Sequence, residues 1–379
     1  MLNLNAEWRF SIYYAALFAS IGSVGPFFAV WLDSLGIEAG TIGVIAAAPS
    51  IVMVFTTVAI GRWADGLKEK RTAIILCNVL ITLAQLVLFW PVHPWLILIS
   101  WTISGVLMFA KVPVTDAAAL SVTSRRNTDF ARVRVYGSIG FVVAISASGY
   151  LYDVVGIAMF IPVLFAGNVL RLWLSAMLPR EQTDHADVQH GALVDSKAVY
   201  QKAVLLSIVG AALIQSSHAV VYTFGILLWN QQGYSETTGS LLIAIGVVAE
   251  VLLMWRFESL TRKLSARGCL IIAATLGVFR WAVLATSPSL PVIYLAQLLH
   301  GATFGLTYLA TALFIARRVG EANAARGQGL SATVTTAFLA VATYSAGQMF
   351  DTLGMLLYWV MAGICALAMV LLVLSFRTP

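Results

Sequence analysis

Apolar stretches of about 20 residues follow one another from end to end of this chain, and they leave little choice of solvent or fold. Twelve can be traced, at approximately 10–32, 40–61, 72–92, 94–122, 132–152, 157–178, 202–230, 237–257, 269–286, 290–316, 327–350 and 353–376. About 20 apolar residues of helix, rising 1.5 Å each, cross a hydrocarbon core of about 30 Å. In that medium each backbone N–H and C=O needs a partner within the chain, and a helix supplies it. The expected fold is therefore all-α, with twelve transmembrane helices. Composition agrees: 60% of the residues are hydrophobic and 11% charged, against about 25% charged in a soluble domain. A soluble enzyme with a water-facing surface is excluded.

The connections set the expected orientation. With the segments numbered in order, the odd-to-even loops read "LDSLGIEAG", "PVHP", "YDVVG", "NQQGYSET", "SPSLP" and "FDTLG", without a Lys or Arg. The even-to-odd loops read "GRWADGLKEKR", "SVTSRRNTDFARVR", "PREQTDHADVQHGALVDSKAVYQK", "RFESLTRKLSAR" and "RRVGEANAAR". With the termini, these carry nearly all of the 23 basic residues. The positive-inside rule then places both termini in the cytoplasm. The net charge of +6 faces the anionic lipids of the inner leaflet and implies no nucleic-acid partner. The expected location is the bacterial inner (cytoplasmic) membrane, as a multi-pass protein. The start of the chain shows no charged n-region, short h-region and cleavage site, so no signal peptide is expected. Cys77, Cys269 and Cys365 lie in apolar segments and are read as small buried hydrophobes rather than disulfide or metal residues.

The polar stretch at 179–201 divides the chain into an N-terminal six-helix bundle, 1–178, and a C-terminal one, 202–379. The halves repeat. Gly36 answers Gly233, Asp153 and Gly156 answer Asp351 and Gly354, and Arg71 answers Arg267, with offsets of 196 to 198 residues. Two six-helix halves of the same orientation resemble the major facilitator superfamily, which implies a substrate cavity between them near the bilayer midplane.

Charged and titratable residues inside the segments are the informative exceptions. A carboxylate at the middle of a membrane helix costs about 2.5–3.5 kcal/mol on insertion scales, so such residues face the protein interior or a hydrated cavity. Asp116 follows Pro113 in "KVPVTDAAAL", and Arg134 lies in "FARVRVYGSIG", where Gly137, Ser138 and Gly140 permit close helix contact. The two form either a structural ion pair or a clamp for a substrate carboxylate or hydroxyl. Glu250, in "LLIAIGVVAEVLLMW", is suited to carrying a proton, with Arg280 as a neighbouring cation. His218 and His300 titrate near working pH by themselves, and are otherwise hydrogen-bonded core residues. Lys111, five residues before Asp116, does not share its face; it lines the cavity or pairs elsewhere. Arg171 reads as a snorkelling side chain, and Arg132 as a lipid-headgroup contact. Tyr13, Tyr14, Phe27, Phe28, Trp31, Tyr222, Phe224 and Trp229 crowd the first and seventh segments. Tyr222 is expected to help line the cavity, and Trp31 and Trp229 to join the interfacial belt.

The loop "GRWADGLKEKR" resembles the signature cytoplasmic loop of that superfamily at Gly61, Asp65, Lys70 and Arg71, but Gly66 and Lys68 depart from the usual Arg and Gly. The resemblance implies a gating contact near the start of the eleventh helix. "VPVTDAAAL", "RVRVYGSIGF", "HAVVYTFGILLWNQQGYS", "IGVVAEV", "GVFRWAV" and "QLLHGATFGLTYLA" together resemble the phenylpropionate permease family and, more distantly, lactose permease and its relatives. The latter resemblance implies sugar-type contacts at Asp116 and Arg134, and coupling or binding roles at Glu250, Arg280 and His300. The second helix-ten carboxylate of lactose permease is replaced by Thr303, which leaves Glu250 as the embedded acid of that half. Lys111 has no counterpart in either pattern.

The combined expectation is a monomeric secondary transporter that moves a small organic substrate with protons by alternating access, without cofactor or metal. The substrate expected is an aromatic carboxylate such as 3-phenylpropionate. An oligosaccharide or nucleoside:proton symporter is the alternative, followed by drug/proton antiport, which the embedded cations disfavour. Without a Walker A pattern, ATP is not the motor; neither an enzyme site nor a passive channel is read from the residues.

Overall fold

A computed structural model describes residues 5–90, 93–180, 196–262 and 264–376. Most of the 179–201 linker lies outside them. The described residues form helices and no strand. Eleven helical stretches are long and apolar enough to cross a membrane: Ala6–Ser34, Ala39–Ala64, Lys70–Phe89, Pro94–Arg125, Phe130–Val155, Ile157–Ala176, Lys202–Gln231, Glu236–Phe257, Ala266–Ala285, Leu290–Val319 and Asn323–Ser375. The last has 53 residues, about 80 Å of helix against a core of about 30 Å. It is broken at Gly354, whose φ of +47° separates Glu321–Leu353 from Leu357–Phe376.

The glycines that mark the sequence repeat carry the same backbone task. Gly36 and Gly233 have φ of +74° and +85°, and Gly156 and Gly354 have +101° and +47°. A side chain at positive φ is strained, so glycine stops each helix without a steric cost.

The distribution of polarity is inverted relative to a soluble protein. Phe55 is 80% exposed and Trp255 75%, while Asn78, Lys111, Asn168, Arg171, His218, Arg280 and Gln297 are buried. That is the arrangement expected where lipid is the outer solvent and polar groups find partners inside. Cys77, Cys269 and Cys365 are free and buried, packed as small hydrophobes.

The chain falls into two compact units, Met1–His185 with Thr223–Leu241, and Ala186–Tyr222 with Leu242–Pro379. In the first, Ala6–Val24 packs along Phe130–Val155. Gly137 and Gly140 make this possible: a Cβ on Gly137 would stand 2.9 Å from the Phe18 ring, and one on Gly140 would strike the Ala15 backbone. Thr223–Leu241 joins this unit where the Thr237 hydroxyl donates to Asp153 at 2.6 Å and where Gly149 leaves no room for a Cβ beside the Glu236 carbonyl, 2.9 Å away. In the second, Ala266–Ala285 packs on Leu357–Phe376, with Gly277 against the Cys365 sulfur.

Two expectations meet a different packing. Trp31 and Trp229 are buried, not belt residues; Trp31 stacks on Phe160 with centroids 4.9 Å apart. Arg171 does not snorkel but is 0% exposed, because Asn78 on a neighbouring helix and Asn168, one turn back on its own helix, offer it two amide oxygens. The helix Pro94–Arg125 runs through Pro113 without a break. In the signature loop, Gly61 lies inside Ala39–Asp65. Asp65 ends that helix, with its side chain outside the described residues. Lys70 and Arg71 open the next helix, where Arg71 Nη2 donates to the Ala176 carbonyl.

Candidate functional site

In the second unit, two helices lose regularity where a titratable ring must be presented. Lys202–Ser216 ends at a turn that holds Ser217 and His218 before helix resumes at Ala219. His300 precedes a π-helical turn, Gly301–Leu306, between Leu290–Leu298 and Thr307–Val319. A π turn adds a residue to the helical repeat and re-aims its side chains, which is why such turns gather at functional positions. Here it turns both His300 and Thr303 towards Arg280.

Arg280 is 1% exposed and is the hub. Its Nη1 lies 3.2 Å from His218 Nε2, 3.3 Å from His300 Nδ1 and 2.8 Å from Thr303 Oγ1. Its Nη2 donates to Gln297 Oε1 at 2.5 Å. His300 Nε2 lies 3.4 Å from Glu250 Oε2. The ring of Tyr222 is 5.5 Å from that of His218 and 6.0 Å from that of His300.

These partners set the tautomers. Arginine only donates, and the two hydrogens of Nη1 are shared among its three neighbours, so the ring nitrogens that face it, His218 Nε2 and His300 Nδ1, are acceptors. His218 Nδ1 faces the Ile214 and Gln215 carbonyls at 3.1 Å each and therefore carries its proton. His300 carries its proton on Nε2, pointing at Glu250. Both rings are then neutral, and Arg280 and Glu250 balance in charge. An extra proton on either ring would set an N–H against the Arg280 N–H. Glu250 can take one without opposing that guanidinium.

Close approach of the helices makes the pair possible. A Cβ on Gly301 would lie 2.7 Å from the Ala249 carbonyl, and one on Gly305 3.0 Å from Glu250 Cγ. Gly301 and Gly305 are four apart, the small-residue spacing that lets membrane helices touch. Gly301→Val is therefore expected to push the two helices apart. It should destabilise by about 1–3 kcal/mol, read as a lower unfolding temperature, and should weaken Glu250-dependent transport in protein that still reaches the membrane.

The first unit holds a second group. Asp116 Oδ1 accepts from the Tyr14 hydroxyl at 2.5 Å and lies 3.7 Å from Arg134 Nε. The Arg134 guanidinium sits 4.2 Å above the Phe18 ring and 5.2 Å above that of Tyr14, and the pair is about a third exposed, 31% and 38%. In the same unit, a cavity of about 600 Å³ is lined by Glu7, Trp8, Ser11, Asp129, Arg132 and Tyr136 among others, and by none of that group's side chains. Arg132, expected at lipid headgroups, lines this cavity and lies 3.9 Å from Asp129. Lys111 is not part of the group; it is buried and donates to Asn78. Among the described residues no cluster of three His, Cys, Asp or Glu could hold a metal.

Sequence reasoning named Glu250, Arg280, His218, His300 and Tyr222, and the structure brings them together. It missed Gln297 and the role of Gly301 and Gly305. The signal was present in "HGATFG", where two glycines four apart follow the histidine.

An apolar exterior around buried, charge-bearing helices, in two compact units, defines a multi-pass membrane transporter of major facilitator type. Comparison with known proteins agrees. Residues 7–361 match the family described as "MFS_1 like family". The chain is 31% identical over 378 residues to the "Probable 3-phenylpropionic acid transporter" of Escherichia coli strain K12, which covers 98% of each chain. It is 24% identical over 317 residues to the "Maltose permease" of Geobacillus stearothermophilus, covering 82% of this chain and 78% of that one. Its fold is like that of the crystal structure of the nucleoside transporter NupG, with a TM-score of 0.85 at 15% identity, covering 99% of this chain and 100% of that one. This chain belongs to the MFS_1 like family; these homologues are transporters rather than enzymes.

Proposed function

We propose that the protein is a proton-coupled symporter of a small aromatic carboxylate, with 3-phenylpropionate as the first candidate. The observation that carries this reading is the balanced pair Glu250 and Arg280, bridged by a neutral His300. When Glu250 takes a proton, Arg280 is left uncompensated in a medium of low dielectric, where charge acts over a long range. A bound anion offsets that charge at a distance, through the same medium of low dielectric and without touching Arg280. Proton and carboxylate therefore favour each other's binding, and the loaded and empty carriers bear the same net charge. The relatedness to a probable 3-phenylpropionic acid transporter supports the choice of substrate.

In this reading Arg134 meets the carboxylate, since it is the more exposed of the two guanidiniums and its contact with Asp116 is long. Asp116 is already held by the Tyr14 hydroxyl and yields its place. Phe18, partly exposed beside the guanidinium, is the ring closest at hand for an aromatic body. The protein works by alternating access between its two halves, with twelve crossings and both termini in the cytoplasm, as a monomer in the bacterial inner membrane.

The test is external pH in a weakly buffered, de-energised suspension of expressing cells after 3-phenylpropionate is added. Alkalinisation in the expressing strain beyond an empty-vector control supports the reading; none removes this substrate. Asp116→Asn separates it from the sugar or nucleoside alternative, for which the maltose permease relative speaks. An anion carrier is expected to keep or improve its KM when this acid is neutralised. A carrier that grips hydroxyls through the Asp116 carboxylate loses about 1.5–3 kcal/mol of binding, or roughly 10- to 100-fold.

A further inference from the structure

The first unit buries a cation pair that the transport reading does not use. Lys111 is 1% exposed and Arg171 0%. Lys111 Nζ and Arg171 Nε both donate to one oxygen, Asn78 Oδ1, the latter at 2.9 Å. Asn78 in turn donates to the Tyr13 hydroxyl at 3.1 Å. Arg171 Nη2 donates to Asn168 Oδ1 at 2.8 Å, and Asn168 donates to Gln85. Each of these partners is a neutral amide or phenol. Among the described residues no carboxylate pairs with either cation.

Such a pair is costly in a dry interior. Lysine can shed its proton when buried, but arginine stays charged. At least one positive charge therefore remains inside this unit. Two polar atoms of the same neighbourhood are buried without a hydrogen-bond partner, Arg171 Nη1 and Ser104 Oγ. Arg171 and Ser104 both line a pocket of about 90 Å³, together with Gln85, Trp101 and Asn168. That volume has room for one small ion with its remaining hydration, since a single water needs about 10–15 Å³ on this measure.

We propose that this pocket binds one small anion of halide size, held by the Arg171 guanidinium and the Ser104 hydroxyl, as counter-ion of the Lys111–Arg171 pair. The chemistry required is a single negative charge and small radius. Chloride supplies it, and so does the carboxylate end of a substrate whose adjoining carbons are bare, as those of the hydroxylated gluconate are not. The inference is independent of the proton-coupling reading, which uses residues of the other unit.

The probe is chloride, titrated against gluconate at constant sodium into the purified full-length protein, with the unfolding temperature followed by tryptophan fluorescence. A saturable rise of about 2–4 °C is expected. It should largely vanish in Ser104→Val, which removes the hydroxyl and narrows the pocket while leaving the Arg171 hydrogen bonds in place. Should that variant fail to fold, quenching by iodide in the intact protein gives the same answer. Trp101 lines the pocket, so a quenched component absent from Trp101→Phe should be displaced by chloride and not by gluconate. An unshifted wild type, or a shift equal in wild type and Ser104→Val, overturns the proposal, as does quenching that chloride does not displace. A Ser104-dependent rise given by 3-phenylpropionate in gluconate, but not by chloride, also overturns the halide assignment and makes the site one for the substrate carboxylate.

Discussion

Glu250→Gln is expected to abolish substrate-driven alkalinisation while leaving substrate exchange in place. Glutamine is nearly isosteric and still accepts from His300 Nε2–H, so the local packing persists. It has no negative charge, so Arg280 is permanently uncompensated, as in the protonated state. The variant should bind the anion and exchange it across the membrane, because exchange cycles only the loaded carrier. It should fail to return empty, since that step leaves a buried cation without its partner. Loss of one member of a buried pair costs about 3–5 kcal/mol, a drop in net uptake of about 100-fold or more. The measurement is external pH together with counterflow in proteoliposomes. Glu250→Asp, which retains the charge, should recover part of the uptake. Full alkalinisation in Glu250→Gln would leave Glu250 as a structural charge and move the proton to His218 or His300.

Arg134→Gln is expected to raise KM with the proton coupling intact. Charge-assisted hydrogen bonds to a carboxylate are worth about 1.5–3 kcal/mol each, so the rise should be about 10- to 100-fold. At saturating substrate the alkalinisation should return. Arg134→Lys keeps the charge but loses the planar fork that matches a carboxylate, and should fall between. The guanidinium is about a third exposed, 31%, so the change should leave the unfolding temperature nearly unmoved. An unchanged KM in both variants would remove Arg134 from the substrate contact and return it to an ion pair with Asp116.

The two groups were unequally legible in the sequence. Glu250, Arg280, His218 and His300 stand out in one dimension because each interrupts an apolar run, and the cost of burying them marks them as partners or workers. How they meet is another matter. The order Glu250, His300, Arg280, His218 follows from a π turn after His300 and from a helix broken beside His218. Hydropathy does not report either, because a one-residue change in helical repeat alters direction and not composition. Arg171 shows the same gap. Its position near a helix end suggests a side chain that reaches for water, yet Asn78 and Asn168 hold it inside. Trp31 and Trp229 were misplaced for the same reason: distance along a helix was legible, and the face it presents was not.

What the sequence determined by itself is the solvent, the all-helical fold and the set of residues that cannot be at rest in lipid. These are sums over local stretches: apolar length against bilayer thickness, and the transfer cost of single side chains. The glycine pairs Gly36 with Gly233 and Gly156 with Gly354 were also written there, since positive φ is a local demand. What only the tertiary structure decided is which buried groups share a neighbourhood. It put Lys111 with Arg171 and not with Asp116, and Glu250 with His300 across the faces of Gly301 and Gly305. Those pairings depend on the rotation and spacing of helices distant in the chain, set by whole packed faces rather than by any one segment.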